Sequence, residues 1–306
     1  MGNYIIKRII SSIVTLWIVI TATFILAHAI PGGPFDREKQ IPDEVRKNIE
    51  QRYKLNEPLF NQYIDYLGNL SRLDLGPSFQ QRGTTINDII NRGFPVSAQL
   101  GLIAVLFSLV SGILLGMVSA LKQGKWQDNV TMFISTLGVT IPGFVLATLL
   151  IYVFAQKLRM FPVYGWGEPK HILLPAIALG GFSMAFIARL TRSSLLDVIR
   201  QDYIRTARAK GLSEFTVIFK HALKNAILPV VTYLGPLVAG VLTGSFVIER
   251  IFTIPGLGRA FVDSIGNRDY TLILGVTVFY GAFLVVCNLI VDIIYAFVDP
   301  RIKLEG

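Results

Sequence analysis

The residues able to do chemistry are few and scattered. His28, His171 and His221 fall in different loops and helix ends with no ligand spacing among them, so no metal centre is expected within this chain. The single cysteine, Cys287, lies in an apolar block and can form neither an internal disulfide nor a cysteine cluster, which leaves it the role of a small buried hydrophobe. Asp292 is the one acid inside an apolar span. A carboxylate at such a place is a functional candidate by default, but a proton relay needs several, so a hydrogen bond to a neighbouring helix is the reading adopted. Pro255-Gly256-Leu257-Gly258 has the glycines of a phosphate loop, yet no GxxxxGK[ST] occurs anywhere in the chain, and the stretch reads as a turn or re-entrant element. No general acid–base pair and no nucleophile constellation is evident. The chemistry open to this sequence is passage and contact rather than catalysis: it is read as no enzyme and as holding no cofactor of its own. Gly240, Thr243, Gly244 and Ser245, with Gly235 and Ala239, give one apolar block a face of little bulk, suited to letting a varied solute pass. Gly112 and Gly116 form a second small-residue pair, suited to close helix packing.

The elements that carry these residues are membrane helices. Of the 306 residues 52% are hydrophobic and only 16% charged, too little charge to solvate a soluble domain of this size. Six blocks reach the roughly 20 apolar residues a span needs: Ile9–Ile30, Val96–Leu121, Val130–Ala155, His171–Ala188, Ala226–Ile248 and Leu272–Val298. Pro175 sits within the fourth, and Pro229 and Pro236 predict that the fifth is kinked or starts late. Lys7-Arg8 ahead of the first block, and Ala27-His28-Ala29 at its end, have the look of a signal peptide. The apolar run exceeds the about 7–15 residues of a signal core, so it reads as a retained signal anchor.

The net charge of +9 is explained by topology, since Lys and Arg collect on the cytoplasmic side. With the N-terminus inside, the cytoplasmic segments hold 14 of the 29 Lys and Arg and the two short outer loops hold 6. The long first outer loop holds 9, balanced by 9 acids. Both termini are therefore expected in the cytoplasm, with the chain in a membrane and in contact with lipid. No basic stretch interleaved with aromatics suggests nucleic acid. The outer loop has order of its own. Phe60, Tyr63, Ile64 and Leu67 follow the helical i, i+3, i+4, i+7 pattern, and Thr85-Ile86-Asn87-Asp88 reads as a capping box. The expected organisation is an N-terminal helix plus helical extracytoplasmic subdomain over 1–95, and a five-helix core over 96–306 with a cytoplasmic loop at 189–225.

That loop is the most informative stretch, being longer and more regular than a membrane connection requires. Asp202–Lys210 looks helical, Gly211 breaks it, and Ser213 can cap a second helix through about His221, with Glu214 favourable at its positive end. Phe215, Ile218 and Phe219 give this helix an apolar stripe. Two readings follow from the residues alone: a knob inserting into a partner, or an amphipathic helix lying on lipid.

The stretch Asp202–Pro229, DYIRTARAKGLSEFTVIFKHALKNAILP, resembles the "EAA" loop of ABC importer permeases. The family pattern sets an acidic-Ala-Ala triplet on Arg205-Thr206-Ala207 and its glycine on Gly211. Arg205 replaces the acid, and Leu228-Pro229 comes five residues later than in sugar permeases. Both departures are typical of the peptide/nickel branch. Pro31-Gly32-Gly33-Pro34-Phe35, Phe186–Ser194, Val241–Phe246, Ile254–Gly258 and Asp299-Pro300-Arg301 extend the likeness along the chain, toward the subunit-B permeases of oligopeptide and dipeptide importers. The resemblance implies an all-α integral membrane protein of the type I ABC importer (MetI-like) permease fold. It implies a second homologous permease subunit, two ABC ATPase subunits that hold ATP and Mg, an extracytoplasmic peptide-binding protein and a peptide as solute. On this reading the ATPase docks on Arg205, Thr206, Ala207, Gly211, Leu212, Phe215 and Phe219, and solute passes near Gly240, Thr243, Gly244 and Ser245. A nickel or glutathione importer of the same branch is the alternative. A stand-alone secondary transporter would call for several ionisable residues in broken helices and inverted repeats, and an intramembrane enzyme would need paired catalytic groups.

Overall fold

Thr85 opens the longest helix by the predicted capping box. Its Oγ1 accepts from the Asp88 amide at 3.1 Å, and the Asp88 carboxylate accepts from the Thr85 amide (3.1 Å) and hydroxyl (2.7 Å). The computed structural model describes residues 2–29, 56–81, 83–243 and 245–298. Its helices are α1 (Gly2–Ala29), α2 (Leu59–Ser71), α3 (Ile86–Leu121), α4 (Trp126–Thr140), α5 (Gly143–Lys157), α6 (Pro169–Ile199), α7 (Asp202–Ala209), α8 (Glu214–Ala226), α9 (Leu228–Thr243), α10 (Phe246–Ile251), α11 (Leu257–Asn267) and α12 (Tyr270–Val298). Pro31–Phe35, Gly244 and Asp299–Arg301 lie outside the described residues, as do the side chains of Thr243 and Asp292.

Among the described residues, four helices are long and apolar enough to cross a membrane: α1 over Ile6–Ala29, α3, α6, and α12 over Tyr270–Ile290. Two bent pairs make up to six. The third span was expected to be one helix over Val130–Ala155. It is instead α4 and α5, bent by 112° where Ile141 leaves the helix with ψ 121° ahead of Pro142. The proline ring disfavours a helical conformation in the residue before it, so the break is local in origin. The fifth span, read as Ala226–Ile248, is likewise revised. It begins after a 50° bend between α8 and α9 and ends at Thr243, and the chain then starts the short α10. Pro229 fits at the second residue of α9, where its missing N–H would have no helical partner. The fourth span runs well past Ala188 to Ile199, because buried Thr191 and Leu195 continue the helical stripe after the charged residues begin.

The chain folds as two compact units, one drawn from Met1–Val96 and Pro255–Ile293, the other from Ser97–Ile254. Val96 lies inside α3, whose first turns belong to the first unit. There, α2 forms as its periodicity predicts but turns a different edge inward. Tyr63 meets Phe24 of α1 edge-on and Tyr66 stacks on it, with ring centroids 5.2 and 5.9 Å away, while Phe60 and Ile64 remain exposed. Burial pushes the Tyr66 phenol up to about 12. Asp269, almost fully buried, is the polar node of this unit. It caps α12 through the Leu272 amide (3.2 Å) and the Thr271 hydroxyl (2.9 Å), and accepts from the Ser78 hydroxyl and the Phe79 and Gln80 amides. A buried carboxylate is tolerable on these terms, since charge-assisted donors replace the lost water.

In the second unit glycines set the helix spacing. A Cβ on Gly112 would stand 2.8 Å from the Ile187 side chain, and one on Gly116 would stand 2.5 Å from the Ala188 carbonyl and 2.6 Å from Thr191 Cβ. The Gly112/Gly116 pair therefore seats α3 directly on the α6 backbone, and the Ser108 hydroxyl, 2.9 Å from the Gly180 carbonyl, bridges the same two helices. Gly138 of α4 faces Ala185 in the same way, at 2.8 Å. Gly116→Val must push these helices apart. The expected loss is about 1–3 kcal/mol of stability from overpacking, read as a lower thermal midpoint in detergent, with Gly240→Val, which meets nothing within 4 Å, as the silent control.

Candidate coupling site

The connection between α6 and α9 packs its buried side chains against the ends of two membrane-length helices. Ile204 and Ala207 of α7, and Val217, Ala222 and Ala226 of α8, are buried against Leu195 of α6 and Met117 and Ala120 of α3. Each large aliphatic side chain fully removed from water contributes about 1.5–3 kcal/mol, enough to hold two short helices that would not persist alone. Asn225 Nδ2 donates to the Tyr203 hydroxyl at 2.8 Å, tying α8 to α7 at the rim.

The turn between the two helices is closed by backbone. The Gly211 amide bonds the Arg208 carbonyl (2.9 Å) and the Leu212 amide reaches the Ala207 carbonyl (3.4 Å), the pair of bonds of a Schellman C-cap. That motif requires a left-handed residue after the cap, and Gly211 has φ +77°. Nothing lies within 4 Å of a Cβ added there, so the glycine is demanded by conformation and not by space within this chain. Ser213 then caps α8, its Oγ accepting from the Thr216 amide at 3.3 Å. Arg208 at the end of α7 and Glu214 at the start of α8 form a bidentate pair (2.8 and 3.3 Å) that suits the dipole of each helix.

Burial divides the sequence-derived site residues. Leu212 is 41% exposed, Phe215 71% and Phe219 47%, and the two phenyl rings stack with centroids 4.5 Å apart. Water sees an apolar patch held rigidly from below. Arg205 is exposed and only 3.7 Å from equally exposed Asp202, a pair of little energetic weight. Thr206 is exposed and bonds the Asp202 carbonyl at 3.0 Å. Ala207 is turned into the chain's own cluster, 7% exposed, so it supports α7 from beneath. In α9, Gly240 is exposed in line with Thr232 and Pro236 at four-residue intervals, whereas Ser245 is buried and donates to the Glu249 carboxylate.

Sequence reasoning missed a node here, as it missed Asp269. Asp128, buried in the first turn of α4, accepts from Arg192 Nε (2.8 Å) and Nη2 (2.9 Å) of α6, from the Gly124 amide (3.0 Å), and from the Ser119 hydroxyl. It fastens the α3–α4 turn to α6 one turn before the buried Leu195 of the cluster. The signal was available: an acid four residues after a glycine, at the mouth of an apolar run.

This arrangement of bent and straight spans is that of a known class. Over 68% of this chain and 93% of its counterpart, it matches a crystal structure of an amino acid ABC transporter with histidines, with TM-score 0.55 and 17% identity. Over 69% and 96% it matches the MetNI methionine ABC transporter in inward-facing conformations, with TM-score 0.53 and 18% identity. The fold is therefore the MetI-like permease fold of ABC importers. At the level of sequence, a family model described as the binding-protein-dependent transport system inner membrane component matches residues 112–304, and one for the N-terminal part of such components matches residues 1–101. The chain belongs to this family. Relatives include the dipeptide transport system permease protein DppB of Bacillus subtilis (strain 168), 50% identical over 305 residues, covering 100% of this chain and 99% of the relative. The oligopeptide transport system permease protein OppB of Haemophilus influenzae is 46% identical, covering 99% and 100%.

Asp128→Asn removes the charge that two guanidinium bonds and a buried hydroxyl are built around. Breaking a buried pair costs about 3–5 kcal/mol, so thermal unfolding of the variant should fall well below that of Ser119→Ala, which loses one hydrogen bond worth about 1 kcal/mol.

Proposed function

We propose that this chain is the membrane-spanning permease subunit of an ATP-driven importer that moves dipeptides or oligopeptides into the cytoplasm. Membership in a binding-protein-dependent family and full-length likeness to dipeptide and oligopeptide permeases support the solute class. The working assembly adds a second, homologous permease, two ATPases and an extracytoplasmic peptide-binding protein. ATP and Mg belong to the ATPases, because this sequence has no phosphate loop of its own. The charge distribution supports a topology with both termini and the α6–α9 connection on the cytoplasmic side, and the family supports the inner membrane.

The observation that carries the reading is the patch of Leu212, Phe215 and Phe219, exposed to water although its scaffold is buried and capped. An ATPase groove covers it, and Gly211 lets the chain turn sharply beside that wall. Energy passes through this contact because a conformational change is driven only where the two states differ in their contacts. The solute path runs along the open face of α9 at Gly240 and on by Thr243 and Gly244, whereas Ser245 is buried against Glu249 and does not line it.

Phe215→Ala with Phe219→Ala should leave the membrane bundle folded and reduce co-purification of the ATPases at least tenfold. Gly211→Val, placing a β-branched residue at φ +77° for about 1–2 kcal/mol of strain or more, should weaken docking or uncouple hydrolysis from uptake. Wild-type co-purification and coupling in both variants would return the loop to the lipid-surface reading. Gly240→Leu has room within this chain, so it should assemble normally yet abolish peptide uptake; normal uptake would remove this face from the path.

A further inference from the structure

Between its capped first turn and its last, α8 departs from α-helical geometry. Val217–Ala222 is a π-helical turn, bonded i to i+5, with α-helix on both sides. The buried residues explain it. Val217, Ala222 and Ala226 are all fully buried in the cluster below, at intervals of five and four. An unbroken α-helix turns about 100° per residue, so it would carry Ala222 about 140° and Ala226 about 180° away from Val217, onto the opposite face. The face left under Val217 would then bear Lys220, His221 and Lys224, which no apolar core accepts. With the π turn, one extra residue is absorbed and the three apolar residues make a single stripe. Phe215 and Phe219, on the α-helical spacing of four, stay stacked above it.

This extra residue sits in the segment that joins the exposed aromatics to α9. Downstream of the π turn α8 runs to Ala226, bends by 50° and becomes α9. A rigid α-helix here would tie the attitude of Phe215 and Phe219 to that of α9. Any tilt of α9 carried through Ala226 would then unseat the aromatics from a partner. A π turn has a competing α-helical register one residue away, so it can give between the two. Resting on the permease reading above, we propose that Val217–Ala222 is the positioning joint of coupling: its surplus residue lets the docked aromatics keep their seat while the stretch from Ala222 through Ala226 into α9 changes inclination.

Deleting Lys220, which is exposed and on neither face, separates the joint from the surfaces it connects. The shortened helix has Val217, Ala222 and Ala226 at intervals of four and four, so a plain α-helix satisfies the core, and Phe215 and Phe219 are untouched. In the full complex the deletion should co-purify with its ATPases at wild-type yield, while peptide uptake falls at least tenfold. Lys220→Ala, which keeps the residue count, should transport normally. Normal uptake by an assembled deletion variant overturns the proposal, and so does equal loss in Lys220→Ala. If the deletion variant fails to assemble, hydrogen exchange on the wild-type complex decides. Amides of Ile218–Leu223 should change protection between the nucleotide-free and ATP-bound complex, and indifference to nucleotide overturns the joint. Failure of the wild-type chain to co-purify with any ATPase would instead strike at the permease reading itself.

Discussion

The apolar cluster beneath α7 and α8 governs what this molecule can do. Outside the hydrocarbon, a short helix keeps its shape only if it has something to bury, and here that is Ile204, Ala207, Val217, Ala222 and Ala226 laid on the ends of α3 and α6. Once those side chains point down, the others have no choice. Arg205, Leu212, Phe215 and Phe219 must face outward, and the chain must reverse within three residues at Gly211. Exposed stacked phenyl rings are unfavourable in water, and the cluster is what makes their exposure sustainable. The same burial fastens the loop to two spanning helices, at Met117 of α3 and Leu195 of α6.

Two buried carboxylates do for the polar parts what the cluster does for the apolar ones. Asp128 gathers Arg192, Ser119 and the Gly124 amide; Asp269 gathers the Ser78 hydroxyl, the Phe79 and Gln80 amides and the first turn of α12. Each stands at the mouth of an apolar helix, where a loop must be held against the end of a span and where water is too scarce to satisfy stray donors. Each carboxylate is shared by at least three donor residues, so the loop geometry is fixed from several directions at once.

Much of this was legible in the residues. Long apolar blocks marked the spans, Thr85 and Asp88 the start of α3, Ser213 the cap of α8, and Gly211 the left-handed turn, because each of these rests on local stereochemistry that neighbours in sequence decide. What escaped was whatever depends on a partner far along the chain. Asp128 needs Arg192, 64 residues away, before it means anything. Ala207 looked like a small contact for a partner, and only the fold turns it inward. Hydropathy ended the fourth span at Ala188 because it counts charges, whereas the helix continues to Ile199 by keeping its buried edge. The 112° break at Ile141-Pro142 was written in the proline but hidden by the apolar run around it. Gly244 and the side chain of Asp292, both weighed from the sequence, fall outside the described residues.

α3 has 36 residues, which at 1.5 Å each make a rod of about 54 Å. The hydrocarbon of a bilayer is about 30 Å thick, so close to half of the rod overhangs. Its first turns carry Asn87, Asp88, Asn91 and Arg92 and are at home in water or among headgroups. A helix longer than the hydrocarbon is thick can cross it with these polar turns left outside, so the length of α3 spares Asp88 and Arg92 from entering lipid.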